Sequence, residues 1–441
     1  MPAAVHYADT WSPDYREQRQ RAEQEWRARR AISATNWNSY NGQHKKFLKT
    51  TKDGLDDNMI LNLLRQIVDR RVAFLFPELP ILILDEGDAN SPDETWLNHF
   101  WGEMGGATLL ANMALNGAVD GQVYVRVVPG NPPKILNISS ANVIVWWEAD
   151  NYQNILWYEM QWADGNGKYR QDIVKDNLNW LIRDFKMDGG DWRLLQEEQW
   201  RFTFAPIVTW QHLPNPMAFY GRHEFENAAL NDSFNFVASN INRILRFHAH
   251  PRTIVTGASA KSLEETAANQ LWSIASPDAK VHNLEMQGDL GSSMKFLEFI
   301  RGFIFDTAAI TVMPTDVKAF GDVTNFGIRA AFMPMLSVNE MLRRQYGKAI
   351  ESISQAVLAL SGRAVWPIRL SWPDPLPVDA HAVTEILKQQ IDAGLVSQET
   401  AMQELRRNPV IERQRMIAET EIAAERLERT LIQRSSEDTD E

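Results

Sequence analysis

The sequence predicts an α+β chain in which a strand-rich middle is followed by very long helices. Two observations carry this. Between Gly121 and Trp210, short runs rich in Val, Ile, Trp and Tyr alternate with Asp-Gly and Gly-Gly turns, the pattern of antiparallel hairpins. Beyond them, His223 to Phe247 holds no Pro or Gly. Further on, Leu342, Tyr346, Ile350, Ile353, Val357 and Leu360 recur at spacings of four, four, three, four and three, the helical period. At 441 residues the chain is long enough for more than one domain with its own core.

Asp14 to Ala34 is a charged helical stretch with Arg16, Arg19, Arg21, Arg27, Arg29 and Arg30 offset by Glu17, Glu23 and Glu25. It reads as a solvated face with intrahelical ion pairs, or as an arm that packs on a neighbour. Asp57 to Phe76 is expected to be helical, with Ile60, Leu64, Ile67, Val68 and Val72 on one face and Pro77 and Pro80 ending it. Leu79–Gly87 is a short apolar strand. Pro92 to Gly117 reads as one helix, with Asp93 and Glu94 well placed at its positive N-terminal end.

Strands are expected at Gly121–Pro129, Val143–Trp147, Ile155–Trp162, Tyr169–Val174, Leu178–Phe185, Trp192–Leu195 and Phe202–Trp210. Ala163–Lys168 and Met187–Trp192 supply the hairpin turns. Most of the sixteen tryptophans lie between Trp96 and Trp210. They read as core and interface anchors, with a sugar-binding platform as the alternative.

After the helix at 223–247, His250-Pro251 stops the turn, because proline cannot continue it. Arg252–Ser259 is a short strand with a Gly turn, Leu263–Ile274 a helical turn, and Ala279–Met286 a second strand. A helix from near Ser293 places Phe296, Ile300, Phe303 and Ile304 on a stripe. Val312–Gly327 is too punctuated by Pro and Gly to be regular, and a long helix follows from Ile328 to about Leu360. Val365–Asp379 is a strand and a Pro-rich connection. His381–Ala393 is helical and Gly394 caps it. Ser397 is a suitable N-cap for Glu399–Arg406. Pro409 breaks the chain again, Val410 to Arg434 is a charged helix, and Ser435–Glu441 is an acidic tail with nothing to bury.

This order of elements resembles the portal proteins of tailed bacteriophages, those of long-tailed siphophages in particular. The matching stretches are YGRHEFENAALNDSFN (Tyr220–Asn235), FHAHPRTIVTGAS (Phe247–Ser259), FLEFIRGFIF (Phe296–Phe305) and MPTDVKAFGDVTNFGIRAAFMPML (Met313–Leu336). The resemblance implies an N-terminal arm and an antiparallel-β/α wing over 1–222. Two stem helices, 223–250 and 293–311, flank a small α/β clip at 251–292. A tunnel loop at 312–327 leads to a long helix kinked by Pro334 and a return strand to the wing, 328–376. A helical crown at 377–434 and a disordered acidic tail at 435–441 complete it.

The resemblance also implies a homo-oligomeric ring, of about twelve subunits, closed head to tail at one capsid vertex. Double-stranded DNA passes through it. Its implied partners are the terminase large subunit, the major capsid protein and scaffold, and a head-completion or adaptor protein. Its location is the virion, and the host cytoplasm during assembly. In such a ring Thr315, Asp316, Lys318, Asp322, Thr324 and Asn325 of the tunnel loop would face the channel. Arg252, Lys261, Glu264, Glu265 and Lys280 of the clip would dock the terminase. Phe236, Phe296, Phe303 and Ile304 of the stem would pack between subunits, because a lone subunit would expose them. The clip strands are expected to pair with those of adjacent subunits, since two short strands alone are marginal. Alternatives are another phage head structural protein or a Trp-rich carbohydrate-active enzyme.

The net charge of −12 is unlike the basic footprint of an ordinary nucleic-acid binder. An acidic channel wall would keep a sliding duplex from sticking, and acidity serves solubility equally well. Without cysteine there is no disulfide framework and no thiolate chemistry. The polar N-terminus MPAAVHYADTWSPDY predicts no signal peptide, and no apolar run is long enough to span a membrane. No P-loop, GxGxxG, HExxH or GxSxG occurs, so no catalytic residue and no cofactor is expected. His248 and His250, with His282, read as ordinary interface histidines rather than metal ligands. Asp85, Glu86 and Asp88 read as an exposed charge run rather than a cation site.

Overall fold

The computed structural model describes residues 13–50, 54, 56–84, 92–148, 151–176, 178–249, 252–256, 278, 280–284, 290–312, 325–376, 380–405, 407 and 412–420. The fold is α+β. In chain order its elements are α1 (Pro13–Tyr40), α2 (Leu63–Leu75), β1 (Ile81–Leu84), α3 (Pro92–Glu103), α4 (Gly106–Asp120), β2 (Gln122–Val128), β3 (Lys134–Ile138), β4 (Val143–Glu148), β5 (Asn151–Asp164), β6 (Gly167–Asp176), β7 (Asn179–Asp188), β8 (Asp191–Trp200) and β9 (Ile207–Gln211). Then come α5 (Ala228–Ala249), β10 (Arg252–Thr256), β11 (Lys280–Leu284), α6 (Leu290–Thr307), α7 (Asn325–Ala331), α8 (Met333–Leu360), β12 (Ile368–Ser371), α9 (Ala380–Asp392) and α10 (Gln398–Glu404). Residues 412–420 are also helical. The chain divides into two units, Met1–Leu75 with Thr108–Pro129 and Lys134–Ile350, and Phe76–Ala107 with Gly130–Pro133 and Glu351–Glu441.

The first unit is built on an antiparallel meander, β4-β5-β6-β7-β8, and a three-stranded sheet, β3-β2-β9. Helix α1 lies on the meander through Ala22 and Trp26, which are buried with Ile144, Trp146 and Trp157. The Trp26 indole N–H donates to the Ala141 carbonyl at 3.0 Å. On the solvent side of α1, Arg21 pairs with Glu17 at 2.5 Å and Arg27 with Glu23 at 2.7 Å. The expected intrahelical pairs therefore coexist with a face that packs on the chain's own sheet.

A row of charges crosses this sheet because opposite registers place them on one face. Glu159 sits across from Asp172, and Arg170 across from Gln161. Arg170 reaches Glu159 at 2.7 Å and Asp172 at 2.7 Å, all three fully buried, and Arg19 of α1 reaches Glu159 at 3.3 Å. Two arginines and two carboxylates balance, which is the condition for burying charge without a large desolvation cost.

Several boundaries differ from the sequence expectation. The helix expected from Asp57 starts at Leu63, and 56–62 is irregular. The single helix expected over 92–117 is two, α3 and α4, split where Gly105 and Gly106 take φ of 106° and 52°. Such angles end a right-handed helix, and glycine adopts them without strain. Strand β3 was not anticipated, and Phe202–Pro206 is not part of β9. Helix α5 starts at Ala228, five residues later than expected. Strands β10 and β11 pair with each other, Arg252 against Leu284 through Thr256 against Lys280. The helical turn expected at 263–274 lies outside the described residues.

The long C-terminal helix is interrupted at Phe332. Pro334 falls at the second residue of α8, where a missing N–H removes no intrahelical bond. Leu342, Tyr346, Ile350, Ile353 and Val357 are all buried, as their spacing implies.

In the second unit β1 and β12 pair antiparallel, Ile81 with Ser371 through Leu84 with Ile368. Asn98 of α3 brackets β1 with its carboxamide, accepting from Leu82 N–H at 3.0 Å and donating to Leu82 C=O at 2.8 Å. Trp101 is buried and donates to Ser354 at 2.9 Å, and Arg363 stacks over Trp96 at 4.3 Å and pairs with Asp93. Ser397 caps α10, accepting from Thr400 N–H at 3.1 Å, as expected from its position. Trp26, Trp101, Trp146, Trp157, Trp180, Trp200 and Trp210 are all buried, the placement of packing anchors.

Removing one partner of the buried sheet cluster should be costly, because the carboxylates stay behind uncompensated. Arg170→Met is expected to lose about 3–5 kcal/mol of unfolding free energy, read by urea denaturation. A loss under 1 kcal/mol would mean the cluster is hydrated.

Candidate functional site

Among the described residues no group of His, Asp and Glu is placed to hold a metal ion, and the chain has no cysteine. Chemistry-bearing side chains instead converge at the root and along the flank of α5, the first of two helices, α5 and α6, that pack on each other.

The root is a buried junction. Arg71 of α2 donates to Glu224 at 2.9 Å, with side chains 2% and 4% exposed. It also donates to the carbonyl of Ala308, just past α6. His212 follows β9. One of its ring nitrogens lies 3.4 Å from the same Glu224 oxygen, and the other 2.8 Å from the hydroxyl of Tyr346 in α8. A neutral ring protonated at Nε2 satisfies both contacts, donating to Glu224 and accepting from Tyr346. Burial holds His212 below its ordinary value, partly opposed by Glu224. Burial would push the Glu224 carboxyl up, but the Arg71 guanidinium and His212 pull it down to about 2. Gly117 of α4 makes room, since a Cβ there would stand 2.8 Å from Val123 Cγ2, 3.0 Å from His212 Nδ1 and against the Tyr346 hydroxyl.

Along the flank, α5 holds residues 56–62 as a strap. Asn231, Asn235 and Ser239, one per helical turn, accept hydrogen bonds from the backbone N–H of Leu63 (3.0 Å), Leu61 (2.9 Å) and Met59 (2.9 Å). Asn242 continues to the Asp57 carbonyl at 3.1 Å. Arg243 and Arg246 close on the Asp57 carboxylate at 3.0 and 2.9 Å. Asn58 folds the outgoing chain back, accepting from Phe47 and Leu48 N–H at 3.0 and 2.9 Å, and Phe47 meets Phe236 edge-on at 5.6 Å. The sequence signal was the four-residue period of Asn and Ser on α5. Its meaning was hidden because the strap itself reads as helical.

The residues singled out from sequence separate into two groups. Phe236, Phe296 and Phe303 are 44%, 53% and 48% exposed in the lone chain, but Ile304 is 0% exposed and packs inside it. Phe299, not anticipated, is 67% exposed and stacks on Phe303 at 6.3 Å. Phe296, Phe299 and Phe303 therefore form one ridge, at helical spacings of three and four. Lys280 is exposed at the start of β11, and Arg252 opens β10. Asn325 begins α7. Thr315, Asp316, Lys318, Asp322 and Thr324 lie outside the described residues, as do Lys261, Glu264, Glu265, His250, Asp85, Glu86 and Asp88. A half-open cleft of about 510 Å³ lies beside the end of α6, between Arg301, Phe305, Asp306 and Ile310 and the helix start at Ala331 and Pro334.

No protein-family model matches the chain, and no curated protein matches it. Among the solved structures similar to it are two from gene transfer agent particles. One is a chain from the neck of an empty gene transfer agent particle, computed with C6 symmetry, at 15% identity, covering 81% of this chain and 90% of that one with a TM-score of 0.47. The other is from the virion of a native gene transfer agent particle, at 16% identity, covering 85% and 93% with a TM-score of 0.44. Both scores fall below 0.5.

The junction makes stability acid-sensitive. The unfolded chain binds a proton at His212 near its ordinary 6.5, whereas the folded chain resists it. His212 thus contributes stability that is complete above pH 6.5 and declines as pH falls below it. Glu224 adds a second loss as pH falls from 4.5 toward about 2. Melting curves of wild type and His212→Gln between about pH 7.5 and 5 should show a steeper decline in the wild type. Parallel curves would show that His212 is not held neutral. Gly117→Ala, which would stabilise an ordinary helix, should here cost about 1–3 kcal/mol by overpacking. A rise in Tm would contradict the tight approach of Tyr346.

Proposed function

We propose that this chain is a structural component of a tailed-phage head or neck, and specifically its portal. About twelve copies would close a ring at one capsid vertex and conduct double-stranded DNA in both directions. The observation that carries the reading is α6. One stripe, Ile300 and Ile304, is buried in its own chain, while the Phe296–Phe299–Phe303 ridge stands in water. A ridge of this kind on a helix that has already found one partner needs a second. The order of α5, the β10–β11 pair, α6 and the long α7–α8 run supports the same reading, because it follows the stem, clip, stem and long helix of the family the sequence resembles.

In this reading the chain catalyses nothing. ATP hydrolysis during packaging belongs to the terminase large subunit, docked at the β10–β11 end. The other partners are the major capsid protein and scaffold, and a head-completion or adaptor protein after packaging. The protein works in the virion, and in the host cytoplasm during assembly. Residues 312–327 would narrow the channel, with Lys318 the one cation between Pro314 and Phe326.

Light scattering with negative-stain microscopy tests the ring. A holed particle of about twelve times the 50.5 kDa chain is expected. A 50.5 kDa monomer at every salt and protein concentration would overturn the reading. The channel is tested separately by Lys318→Glu. Packaging or retention of DNA should change, while the thermal melt moves by no more than about 0.5 kcal/mol. Wild-type packaging in both Lys318→Glu and Asp316→Lys would remove the loop from the DNA path.

A further inference from the structure

The strap and the ridge are two different apolar surfaces on the same helical pair. Met59, Ile60 and Leu61 are 38%, 36% and 39% exposed, three consecutive large apolar side chains left in water. Their backbone is not free to turn them inward, because Ser239, Asn235 and Asn231 fix the N–H groups of Met59, Leu61 and Leu63. Asn58 joins the strap to Phe47, which lies against Phe236, so Phe236 extends the same patch. The patch is held in place before anything docks on it, which lowers the ordering cost of a contact.

We infer that the Phe296–Phe299–Phe303 ridge of one copy seats on the Met59–Ile60–Leu61–Phe236 patch of the next, so that the strap is the receiving half of a head-to-tail contact. The inference rests on the ring reading and adds to it which surface meets which. The two surfaces match in area. The exposed parts of the ridge and of the patch come to roughly 300 Å² each. At the usual apolar share of an interface, covering both buries about 1,000 Å² at each junction, the lower bound for a biological interface, and a ring repeats that contact at every junction. Ridge against ridge would cover a similar area but would close a two-fold dimer and leave the strap patch wet. Two unlike surfaces per copy generate a chain of contacts that closes only by rotation. The strap then links two levels of the molecule, since Asn62 at its base also caps α1, donating to the carbonyls of Ser39 and Tyr40 at 2.8 and 2.9 Å.

The test is complementation between two variants at exposed positions, Phe299→Asp, which spoils the ridge, and Ile60→Asp, which spoils the patch. Circular dichroism checks that both fold. Each alone should remain at monomer mass in light scattering. An equimolar mixture should give dimers and nothing larger, because only one intact ridge and one intact patch can meet. A mixture that stays monomeric overturns the pairing. So does Ile60→Asp assembling like wild type while Phe299→Asp does not, since the ridge would then seat elsewhere. Rings from both variants would overturn the pairing and leave the ring reading standing, whereas a monomeric wild type removes both. The absence of cysteine gives a second readout. Ile60→Cys with Phe299→Cys should form a disulfide-linked ladder beyond dimer on oxidation, and Phe299→Cys alone should not. Covalent dimers of Phe299→Cys alone would show that the ridge meets itself.

Discussion

The carboxylate of Glu224 is shared between Arg71 at 2.9 Å and His212 at 3.4 Å, and the rest of the first unit is arranged around that sharing. Arg71 brings α2, His212 brings the end of β9, Tyr346 brings α8, and the Ala308 carbonyl brings the end of α6. A buried carboxylate with one cation and one neutral imidazole is balanced in charge, and each hydrogen bond fixes the direction of an element as well as its distance. If Arg71 were withdrawn, Glu224 would be left charged in a dry site, and α5 would lose the anchor four residues ahead of its first turn. The paired helices are therefore fixed at their root, and α5 is fixed again along its flank by the strap.

The periodic elements were legible. The buried seam of α8 follows directly from the spacing of Leu342, Tyr346, Ile350 and Ile353, and the meander from its Asp-Gly and Gly-Gly turns. The junction was not, because Arg71, the His212–Glu224 pair and Tyr346 are far apart in the chain and each looks ordinary alone. Ile304 shows a subtler limit. It is buried with Ile300 and Phe305 on the face toward its own chain while its neighbour Phe303 is exposed, so the stripe read from sequence straddles the boundary between the two faces. The helix expected from Asp57 failed for a physical reason as well. Ile60 fits the helical period of Leu64, Ile67 and Val68, but α5 supplies side-chain partners for the backbone of 56–62, and a local propensity yields to that many tertiary hydrogen bonds.

Surface and interior thus divide the work of the helical pair. Polar side chains of α5 are spent inward on the strap, and Phe296, Phe299 and Phe303 of α6 are left outward. This inverts the usual distribution of polar and apolar side chains between surface and interior.

The strap also behaves as a vernier. Four residues of helix climb about 6 Å, whereas two residues of extended chain climb about 6.6 Å, so the two scales drift by about half an ångström at each rung. Short carboxamide and hydroxyl groups can follow for three rungs, at Asn231, Asn235 and Ser239. The tightened step where Leu63 N–H bonds the Leu61 carbonyl takes up part of the slip at one end. At the other end Asn242 still reaches the Asp57 carbonyl, and Arg243 and Arg246 take the Asp57 carboxylate. The drift stays within the reach of short side chains, so the strap keeps step with α5 from Asn231 to Asn242.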